Sequence, residues 1–361
     1  MAIRTFPFSV AEIRENLLVH LNDHDAVDSL KKTQRNFTIS REQISNYSRS
    51  EEDISSYSLF YMPTDFPKLS MILAQLDHHL IERLKKAKVS VFDIGCGPGT
   101  FSFAWSDYFP GSDHSFFFID QSSIMLEQAK VFSRTLFNLR NTSFTRSVST
   151  TATIDGSDLK IAIFGHSINE MGLNVANDYL KKIDPDLIFM IGPGTPEVFR
   201  LFMDWKTGSA SKLGYDILYP CLDSSRCPIY SNPKSDDWCH QILRSKLSPD
   251  LHQLGQKLSI DRRSVPFVGH IYIKTAMLTE SGVANEAGEK FTLVRFLGQT
   301  KFSWRFLACP VGSQEIVELE ILKKLLTKDQ VHQVMSLCVG DRVRFSLVKA
   351  VGPNHLRGHI I

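Results

Sequence analysis

Apolar and polar positions change their spacing in a regular way through the middle of the chain. Between residues 88 and 210, each run of β-prone apolar residues is followed by a stretch whose apolar positions have helical spacing. This alternation predicts a mostly parallel sheet packed against helices, because parallel strands need a long crossover connection. The predicted strands are 88–95, 114–120, 141–148, 159–165 and 186–192, and the predicted helices are 100–108, 122–137, 174–183 and 196–206.

The two ends of the chain have different patterns. Up to residue 87, apolar residues recur three and four positions apart, as between Leu73 and Leu84, which predicts helices. From residue 265 the apolar positions mostly alternate, as between Phe302 and Phe306, with a helix predicted at about 316–336 and a last strand at 342–348.

The fold class is therefore predicted to be α/β, with a Rossmann-like, mostly parallel sheet. Its sections are an N-terminal helical region (1–87), a Rossmann-like domain (88–215), a cysteine-rich insertion (216–265) and a β-rich C-terminal part (266–361) that completes the sheet and adds a basic surface.

A glycine-rich turn follows the first predicted strand. Asp93 leads into Gly95, Gly97 and Gly99, and a helical pattern begins directly afterwards. Strand, glycine turn and helix lay a nucleotide across a helix N-terminus, since glycine allows tight turning and close approach of the backbone. Asp120 ends the second predicted strand, where a carboxylate can accept hydrogen bonds from ribose hydroxyls. These residues resemble the S-adenosylmethionine (SAM) site of class I methyltransferases; the alternative is a purely structural turn.

The segment after the fourth predicted strand reads His166-Ser167-Ile168-Asn169-Glu170. Because ligands bind at the carboxyl ends of such strands, we expect His166 and Asn169 beside the cofactor. His166 is either a general base or, as we favour, a hydrogen-bonded wall of the pocket. The segment has no Asn/Asp-Pro-Pro-aromatic motif for amino-group methylation and no Pro-Cys nucleophile for pyrimidine methylation, so no catalytic residue is predicted.

Four of the six cysteines stand in irregular, proline-bearing sequence. Cys221, Cys227 and Cys239 fall within nineteen positions, and Cys309 precedes Pro310. Such clustering favours a metal or cluster site over merely buried thiols. Four thiolates can hold tetrahedral zinc or an iron–sulfur cluster, and the spacing lacks the close Cys-x-x-Cys pairs of zinc ribbons. The remaining two cysteines, Cys96 and Cys338, are predicted to be small buried residues.

Composition narrows the class of protein. The 361 residues are 43% hydrophobic and 22% charged, which is ordinary for a soluble globular chain, and the net charge of +2 excludes a polycation. No apolar run reaches the roughly 18 residues of a membrane span. The acidic residues among the first thirty positions fit neither a secretory signal nor a transit peptide. We therefore expect a cytoplasmic monomer without membrane association.

Charge is concentrated near the C-terminus. Residues 291–361 contain ten Lys or Arg and five Asp or Glu, a local net charge of +5. A basic β surface that carries aromatic residues suits contact with an RNA backbone, and a solvated sheet face is the alternative.

Several stretches together resemble one family. These are FDIGCGPGT (92–100), IGPGTPEVF (191–199), PCLDSSRCP (220–228), DWCH (237–240) and LACP (307–310). Over roughly residues 45–345 the chain is similar to the methyltransferase-like small-ribosomal-subunit assembly proteins of bacteria and mitochondria. The resemblance implies a class I methyltransferase fold, an inserted four-iron four-sulfur cluster and association with small-subunit ribosomal RNA. By matching positions it implies Cys221, Cys227, Cys239 and Cys309 as the cluster ligands.

Three functions remain open at this point. The first is an assembly factor whose SAM and cluster sites shape a surface that binds small-subunit rRNA. The second is an active SAM-dependent rRNA methyltransferase, and the third is a zinc-stabilised SAM-binding module without RNA. The missing catalytic signature favours the first function over the second, and the basic C-terminal part favours it over the third.

Overall fold

The computed structural model describes residues 4–39, 50–147, 156–221, 224, 226–232, 237–278, 289–312 and 315–361. The chain forms two compact units. Unit 1 comprises Met1–Gly192 and Leu243–Val265, and unit 2 comprises Pro193–Ile242 and Pro266–Ile361. The four predicted sections stay a prediction, because these units reflect packing rather than sequence character.

The helices and strands are numbered along the chain. The helices are α1 (Val10–Glu15), α2 (Asp23–Ile39), α3 (Glu51–Asp65), α4 (Pro67–Leu73), α5 (His78–Lys86), α6 (Thr100–Tyr108), α7 (Ser123–Thr135), α8 (Ile168–Ile183), α9 (Pro196–Trp205), α10 (Pro249–Leu258), α11 (Thr275–Leu278) and α12 (Lys328–Ser336). The strands are β1 (Val89–Ile94), β2 (His114–Ile119), β3 (Thr142–Thr145), β4 (Leu159–Gly165), β5 (Leu187–Pro193), β6 (Tyr215–Tyr219), β7 (Gln241–Arg244), β8 (Ser264–Lys274), β9 (Glu289–Gln299), β10 (Ser303–Pro310), β11 (Val317–Leu322), β12 (Arg342–Gly352) and β13 (His355–Ile360).

Unit 1 is built around a parallel sheet. Its strands pair in the order β3-β2-β1-β4-β5, and neighbouring strands run parallel. Every residue of β1 is buried, as expected for a parallel strand covered on both faces. The strand order reverses beside β1, and such a reversal opens a crevice at the carboxyl ends of the strands. The sheet confirms the predicted α/β class I methyltransferase fold.

The predicted elements of this region are confirmed within a few residues. α8 differs from its prediction at 174–183, because a helical turn begins already at Ile168. Gly172 has φ 78° and ψ 161°, which interrupts the helical path before the predicted part begins. Residue 148, the end of the predicted third strand, lies outside the described residues.

Unit 2 contains a small closed barrel. Its strands follow each other around the barrel in the order β9-β10-β11-β13-β12, with β12 pairing back to β9. β11 and β13 run parallel, the other pairs are antiparallel, and α12 lies between β11 and β12 in the chain. This is the strand arrangement of an OB-fold barrel. Its interior is filled by Phe291, Leu293, Trp304, Phe306, Ala308, Val317, Leu319, Ile321, Val334, Val343, Phe345 and Ile360.

The helix predicted at about 316–336 is wrong in its first part. Val317, Leu319 and Ile321 are buried in the barrel, whereas Glu318 and Glu320 lie on its outer side. This two-residue period forms strand β11, and only Lys328–Ser336 is α-helical. The sequence prediction also missed β13, which follows a short turn after β12.

Among the described residues, no helix combines the length and the apolar character that crossing a bilayer requires. The cytoplasmic location and the monomeric state stay predictions.

Candidate functional site

The glycine turn lies between β1 and α6, at the carboxyl edge of the parallel sheet. Gly95, Gly97 and Gly99 have φ values of +70°, +55° and +93°, which L side chains rarely adopt. Gly95 must also be small, because a Cβ there would lie 2.4 Å from the Cβ of Ser167. Gly99 caps α6, and a Cβ there would lie 2.6 Å from the ring of Phe103. The turn thus presents backbone at a helix N-terminus, where a polar or anionic ligand group binds favourably.

Asp120, directly after the neighbouring strand β2, accepts a hydrogen bond from the glycine turn. Its Oδ2 accepts a hydrogen bond from the Gly97 N–H at 2.9 Å, and its Oδ1 accepts one from the Ser122 N–H at 2.8 Å. Burial raises the pKa of this carboxyl, and the two hydrogen bonds oppose that rise. Each carboxylate oxygen has a second lone pair, so the side chain can still accept ligand hydroxyls.

Asp93 is fully buried at the end of β1. Its Oδ2 accepts hydrogen bonds from the Ser102 N–H at 3.0 Å and the Ser102 hydroxyl at 2.9 Å, which fixes the first turn of α6. Its Oδ1 has no hydrogen-bond partner among the described residues. Burial raises the pKa of Asp93 to about 7, although the Ser102 hydrogen bonds lower it. The structure gives Asp93 a positioning task, and its direct contact with a cofactor stays a prediction.

His166 follows β4 in a left-handed backbone conformation, with φ +61°. Its ring stacks on Phe101, with 6.0 Å between the ring centroids. Its Nε2 lies 2.9 Å from the Lys68 Nζ, while its Nδ1 has no hydrogen-bond partner among the described residues. Burial, followed by the positive charge of Lys68, lowers the pKa of His166 to about 3.

His166 contacts a network of buried, charged side chains. Lys68 is 1% exposed and donates to Asp65 Oδ1 at 2.6 Å, and Arg262 also donates to Asp65. Burial lowers the pKa of Lys68 to about 8, while Asp65 opposes that change. Burial would raise the pKa of Asp65, but Arg262 and then Lys68 hold it well below its usual range.

The network fixes the chemistry of His166. At neutral pH a protonated Lys68 donates to the lone pair of Nε2, so the imidazole is neutral and carries its proton on Nδ1. A nitrogen whose lone pair is already occupied is poorly suited to remove a proton. In this state the ring can offer the Nδ1–H as a donor, and its role as a wall of the cofactor pocket stays a prediction.

Asn169 lies in the first turn of α8, and its side chain is exposed. The preceding Ser167 is buried, and its hydroxyl donates to the Ile94 carbonyl at 2.6 Å. This bond holds the segment after β4 against the end of β1. The structure therefore places Asn169 near the glycine turn, and its contact with a cofactor stays a prediction.

The four predicted cysteine ligands border one small cavity in unit 2. Cys221 follows β6, Cys227 lies in a turn, Cys239 precedes β7 and Cys309 lies near the end of β10. No disulfide joins them. Hydrogen bonds hold the segments: Thr292 donates to the Pro220 carbonyl at 2.9 Å, and the Ser231 N–H donates to the Cys227 carbonyl at 3.0 Å. Four thiols from separate parts of the chain thus share one enclosed space.

Cations and an imidazole also line this cavity. They are Lys206, Arg226 and His270. Separately, the guanidinium of Arg342 donates to the Cys221 carbonyl at 2.8 Å. Burial raises the pKa of Cys221, and nearby Lys206 opposes that rise. Burial and then its sulfur neighbours raise the pKa of Cys239 and of Cys309. The nearby positive charge thus offsets only part of the effect of burial, which disfavours the thiolate form.

Two further observations concern the thiols. In the described part of the chain, no three His, Cys, Asp or Glu side chains form a group that could hold a single metal ion. Cys96 is buried in the glycine turn as predicted, whereas Cys338 is only partly buried, so its prediction was wrong. Neither of these two cysteines lines the cavity.

Sequence reasoning missed the residues that surround the predicted ones. Lys68 stands alone among apolar positions in Pro67–Leu73, and such an isolated cation is a signal for a buried partner. The partners Asp65 and Arg262 are nearly two hundred positions apart in the chain, and no local pattern links them. Lys206 directly follows α9, and no local pattern links it to the cysteines that it accompanies at the cavity.

Several solved structures that are similar to this chain are described as methyltransferases. A precorrin-6y C5,15-methyltransferase from Geobacter metallireducens is 12% identical and has a TM-score of 0.36, covering 57% of this chain and 88% of that one. A SAM-dependent methyltransferase from Thiobacillus denitrificans, solved with S-adenosyl-L-homocysteine, is 16% identical with a TM-score of 0.31, covering 55% and 92%. A SAM-dependent methyltransferase from Aquifex aeolicus is 13% identical with a TM-score of 0.31, covering 57% and 97%. The fold assignment rests on the strand order rather than on these similarities.

Sequence comparison identifies the family. No curated protein matches the chain in sequence. The family model of the mitochondrial small ribosomal subunit protein Rsm22 matches residues 51–289, well over half of the 361 residues. The match includes the glycine turn, Asp120, His166 and three of the four cavity cysteines. The chain therefore belongs to the mitochondrial small ribosomal subunit Rsm22 family.

Proposed function

We propose that this protein binds SAM and a four-iron four-sulfur cluster and acts in assembly of the small ribosomal subunit by binding its rRNA. The main observation behind the proposal is that four cysteines without disulfide bonds line one cavity in a chain of the Rsm22 family. The ribosomal context comes from the family, and the cofactors come from the chemistry of the two sites.

The SAM proposal is supported by the residues at the carboxyl edge of the unit 1 sheet. The glycine turn would hold the nucleotide, the second lone pairs of the Asp120 oxygens would accept the ribose hydroxyls, and the Nδ1–H of His166 would donate to the ligand. When bound, SAM supplies an electrophilic methyl group. A neutral, Lys68-bonded His166 supplies no base for methyl transfer, which supports an assembly role over an enzymatic one.

The cluster proposal is supported by the donor set. Four cysteine thiolates are the usual ligands of a four-iron four-sulfur cluster. Four thiolates around a cluster leave net negative charge, which Lys206 and Arg226 beside the cavity would balance. Zinc with the same four ligands is the competing occupant, and metal analysis separates the two.

Metal and sulfide analysis of anaerobically purified protein tests the cluster. We expect brown protein with about four iron atoms per chain, acid-labile sulfide and the broad visible absorption of a cluster. The Cys239→Ser and Cys309→Ser variants should lose most of this iron. The Cys338→Ser variant is the matched control, because Cys338 lies outside the cavity, and it should keep its iron. Colourless protein with one zinc per chain would contradict the cluster.

Crosslinking in cells tests the ribosomal role. We expect the protein to crosslink to small-subunit rRNA in immature particles. Recovery of unrelated RNA, or of no RNA, would contradict rRNA binding. Incubating the same particles with tritiated SAM separates the two remaining roles, since methyl incorporation at one rRNA position would identify an enzyme and its absence an assembly factor.

A further inference from the structure

One end of the unit 2 barrel carries exposed aromatic side chains. Residues 300–302 connect β9 to β10, and the Phe302 ring is 70% exposed at this connection. Phe296, on the adjoining part of β9, is 50% exposed and packs one edge against the buried Phe306, with 5.1 Å between the ring centroids. We call residues 295–303 and 322–328 the barrel tip, since β10 begins where β11 ends.

The barrel tip is positively charged. Its two segments contain Arg295, Lys301, Lys323, Lys324 and Lys328 and no Asp or Glu. Arg295 pairs with Asp237 at 2.9 Å, and Lys323 lies 4.5 Å from the centre of the Trp304 ring and donates to the Thr300 carbonyl. Lys301 and Lys324 are exposed and form no ion pair with a described carboxylate. The tip therefore complements an anionic partner that also offers flat apolar rings.

The neighbouring barrel face has a different character. On the outer side of β10, β11 and β13, Arg305 pairs with Glu318 at 2.5 Å and Arg357 pairs with Glu320 at 2.7 Å. His355 lies 3.2 Å from Glu320 as well. These pairs neutralise the strand face that OB-fold barrels commonly use for oligonucleotides. Two connections between strands are also commonly used, and one of them, between the first and second barrel strands, is exposed and basic.

From these features we infer that the barrel tip binds single-stranded RNA, with bases stacked on Phe302 and Phe296 and phosphates contacted by Lys301 and Lys324. This inference rests on the proposed rRNA-binding function and names the surface and the form of RNA. Aromatic rings beside cations are how OB-fold barrels bind single strands without reading sequence, because every base has a stacking face. A duplex keeps its bases stacked internally and cannot use the two phenylalanines in this way.

The test is fluorescence anisotropy of the full-length protein with a labelled single-stranded RNA of about 12 nucleotides, a length within the usual site size. We expect the Phe302→Ala variant to bind about tenfold more weakly, as is typical for loss of one stacked base. The Lys301→Ala/Lys324→Ala variant should reduce the slope of log affinity against log salt by about one to two. A duplex of the same length should bind wild type and Phe302→Ala equally.

Matched controls come from the opposite end of the same barrel. Val311, directly after β10, is 50% exposed, and the partly exposed Lys290 lies at the start of β9, beside the end of β10. The Val311→Ala and Lys290→Ala variants should bind the single strand like wild type. Because Phe302 is mostly exposed, Phe302→Ala should unfold at the wild-type temperature, which checks that the fold is intact.

The outcomes separate the two proposals. If Phe302→Ala binds the single strand as tightly as wild type does, the barrel tip is not the RNA-binding surface. The proposed rRNA role would be unaffected by that result. Equal losses for Phe302→Ala and Val311→Ala would also overturn the tip as that surface. If in-cell crosslinking shows no small-subunit rRNA at all, the proposed function itself fails. If Phe302→Ala leaves RNA binding intact but weakens binding to a purified small-subunit protein, the tip is a protein-docking surface instead.

Discussion

Two side chains with similar sequence signals have different surroundings in the folded chain. Asp120 ends one predicted strand and His166 follows another, and the strand order places both at the carboxyl edge of the sheet. The sequence could not show that Lys68 occupies one nitrogen of His166, because that contact spans 98 positions. Whether His166 acts as a general base or as a wall of the pocket therefore depends on Lys68, a buried residue that belongs to no recognised motif.

The ribose role of Asp120 is testable by substitution. The Asp120→Asn variant keeps one oxygen that can accept a backbone hydrogen bond, but its amide NH₂ cannot accept from a ribose hydroxyl. We expect SAM affinity to fall about tenfold or more, as when a charge-assisted hydrogen bond is lost. Asp113→Asn, at the exposed amino end of the same strand, is the matched control and should bind like wild type. Isothermal titration calorimetry measures both. Unchanged affinity in Asp120→Asn would remove the proposed ribose contact.

The protonation state of His166 gives a second prediction. Because burial and Lys68 lower its pKa to about 3, the ring should stay neutral, with the proton on Nδ1, throughout the physiological range. The folded state then binds fewer protons than the unfolded chain between about pH 3 and 6.5, so this group makes stability rise with pH in that window. Imidazole nitrogen NMR should show no titration of His166 near pH 6. The Lys68→Met variant should move the His166 pKa upward, and a titration near 6.5 in wild type would contradict the network.

At the scale of elements, the spacing of apolar residues and the breaks between apolar runs determined which helices and strands could be predicted. The strands and helices of the parallel sheet followed from long apolar runs separated by clear helical spacing. The stretch from 316 was misread because Val317-Glu318-Leu319-Glu320-Ile321 joins directly to a helix-like sequence, and Glu and Leu are good helix formers. Barrel closure prevailed over this local preference, since the three apolar side chains fill the barrel interior.

The link between β1 and α6 gives a prediction about pH. A rise in the pKa of Asp93 to about 7 means that the folded state binds a proton more readily than the unfolded chain, so this group makes stability fall as pH rises from about 4 to 7. The full effect is at most about 4 kcal/mol. The Asp93→Asn variant keeps an oxygen for Ser102 and cannot ionise, so its unfolding free energy in urea should fall less over this range.

Asp178→Asn is the matched control for that measurement. Asp178 is an exposed carboxylate on α8, with a side chain 68% exposed, so its replacement should leave the pH profile of stability as in wild type. Parallel profiles for wild type and Asp93→Asn would show that the buried carboxyl does not change its protonation on unfolding.

At the scale of the whole molecule, the residue types at the thiol cavity were predictable and their surroundings were not. Four cysteines in irregular sequence next to prolines could be singled out by composition, and the family resemblance selected which four. Lys206, Arg226 and His270 joined the cavity through tertiary packing of separate elements. The OB-type closure also escaped prediction, because it depends on a parallel pairing between β11 and β13 that no hairpin signal marks.

Removal of the proposed cluster gives a prediction at this scale. A group bound by the folded protein and not by the unfolded chain stabilises the fold, so cluster-free protein should unfold at a lower temperature than loaded protein. Anaerobic calorimetry before and after oxidative cluster loss measures the difference. The Cys309→Ser variant should already unfold at the lower temperature, and Cys338→Ser should behave like loaded wild type. Equal transitions with and without iron would mean that the metal contributes nothing to folding.

The position of Cys309 on β10 has a consequence for biosynthesis. The cavity takes one wall from residues near 220 to 240 and another from Thr292, Cys309 and Pro310. A chain still being translated lacks that second wall until Pro310 has been added. Nonsense or frameshift products that end before this strand cannot complete the cavity, so any cofactor bound there marks chains whose synthesis has passed this strand.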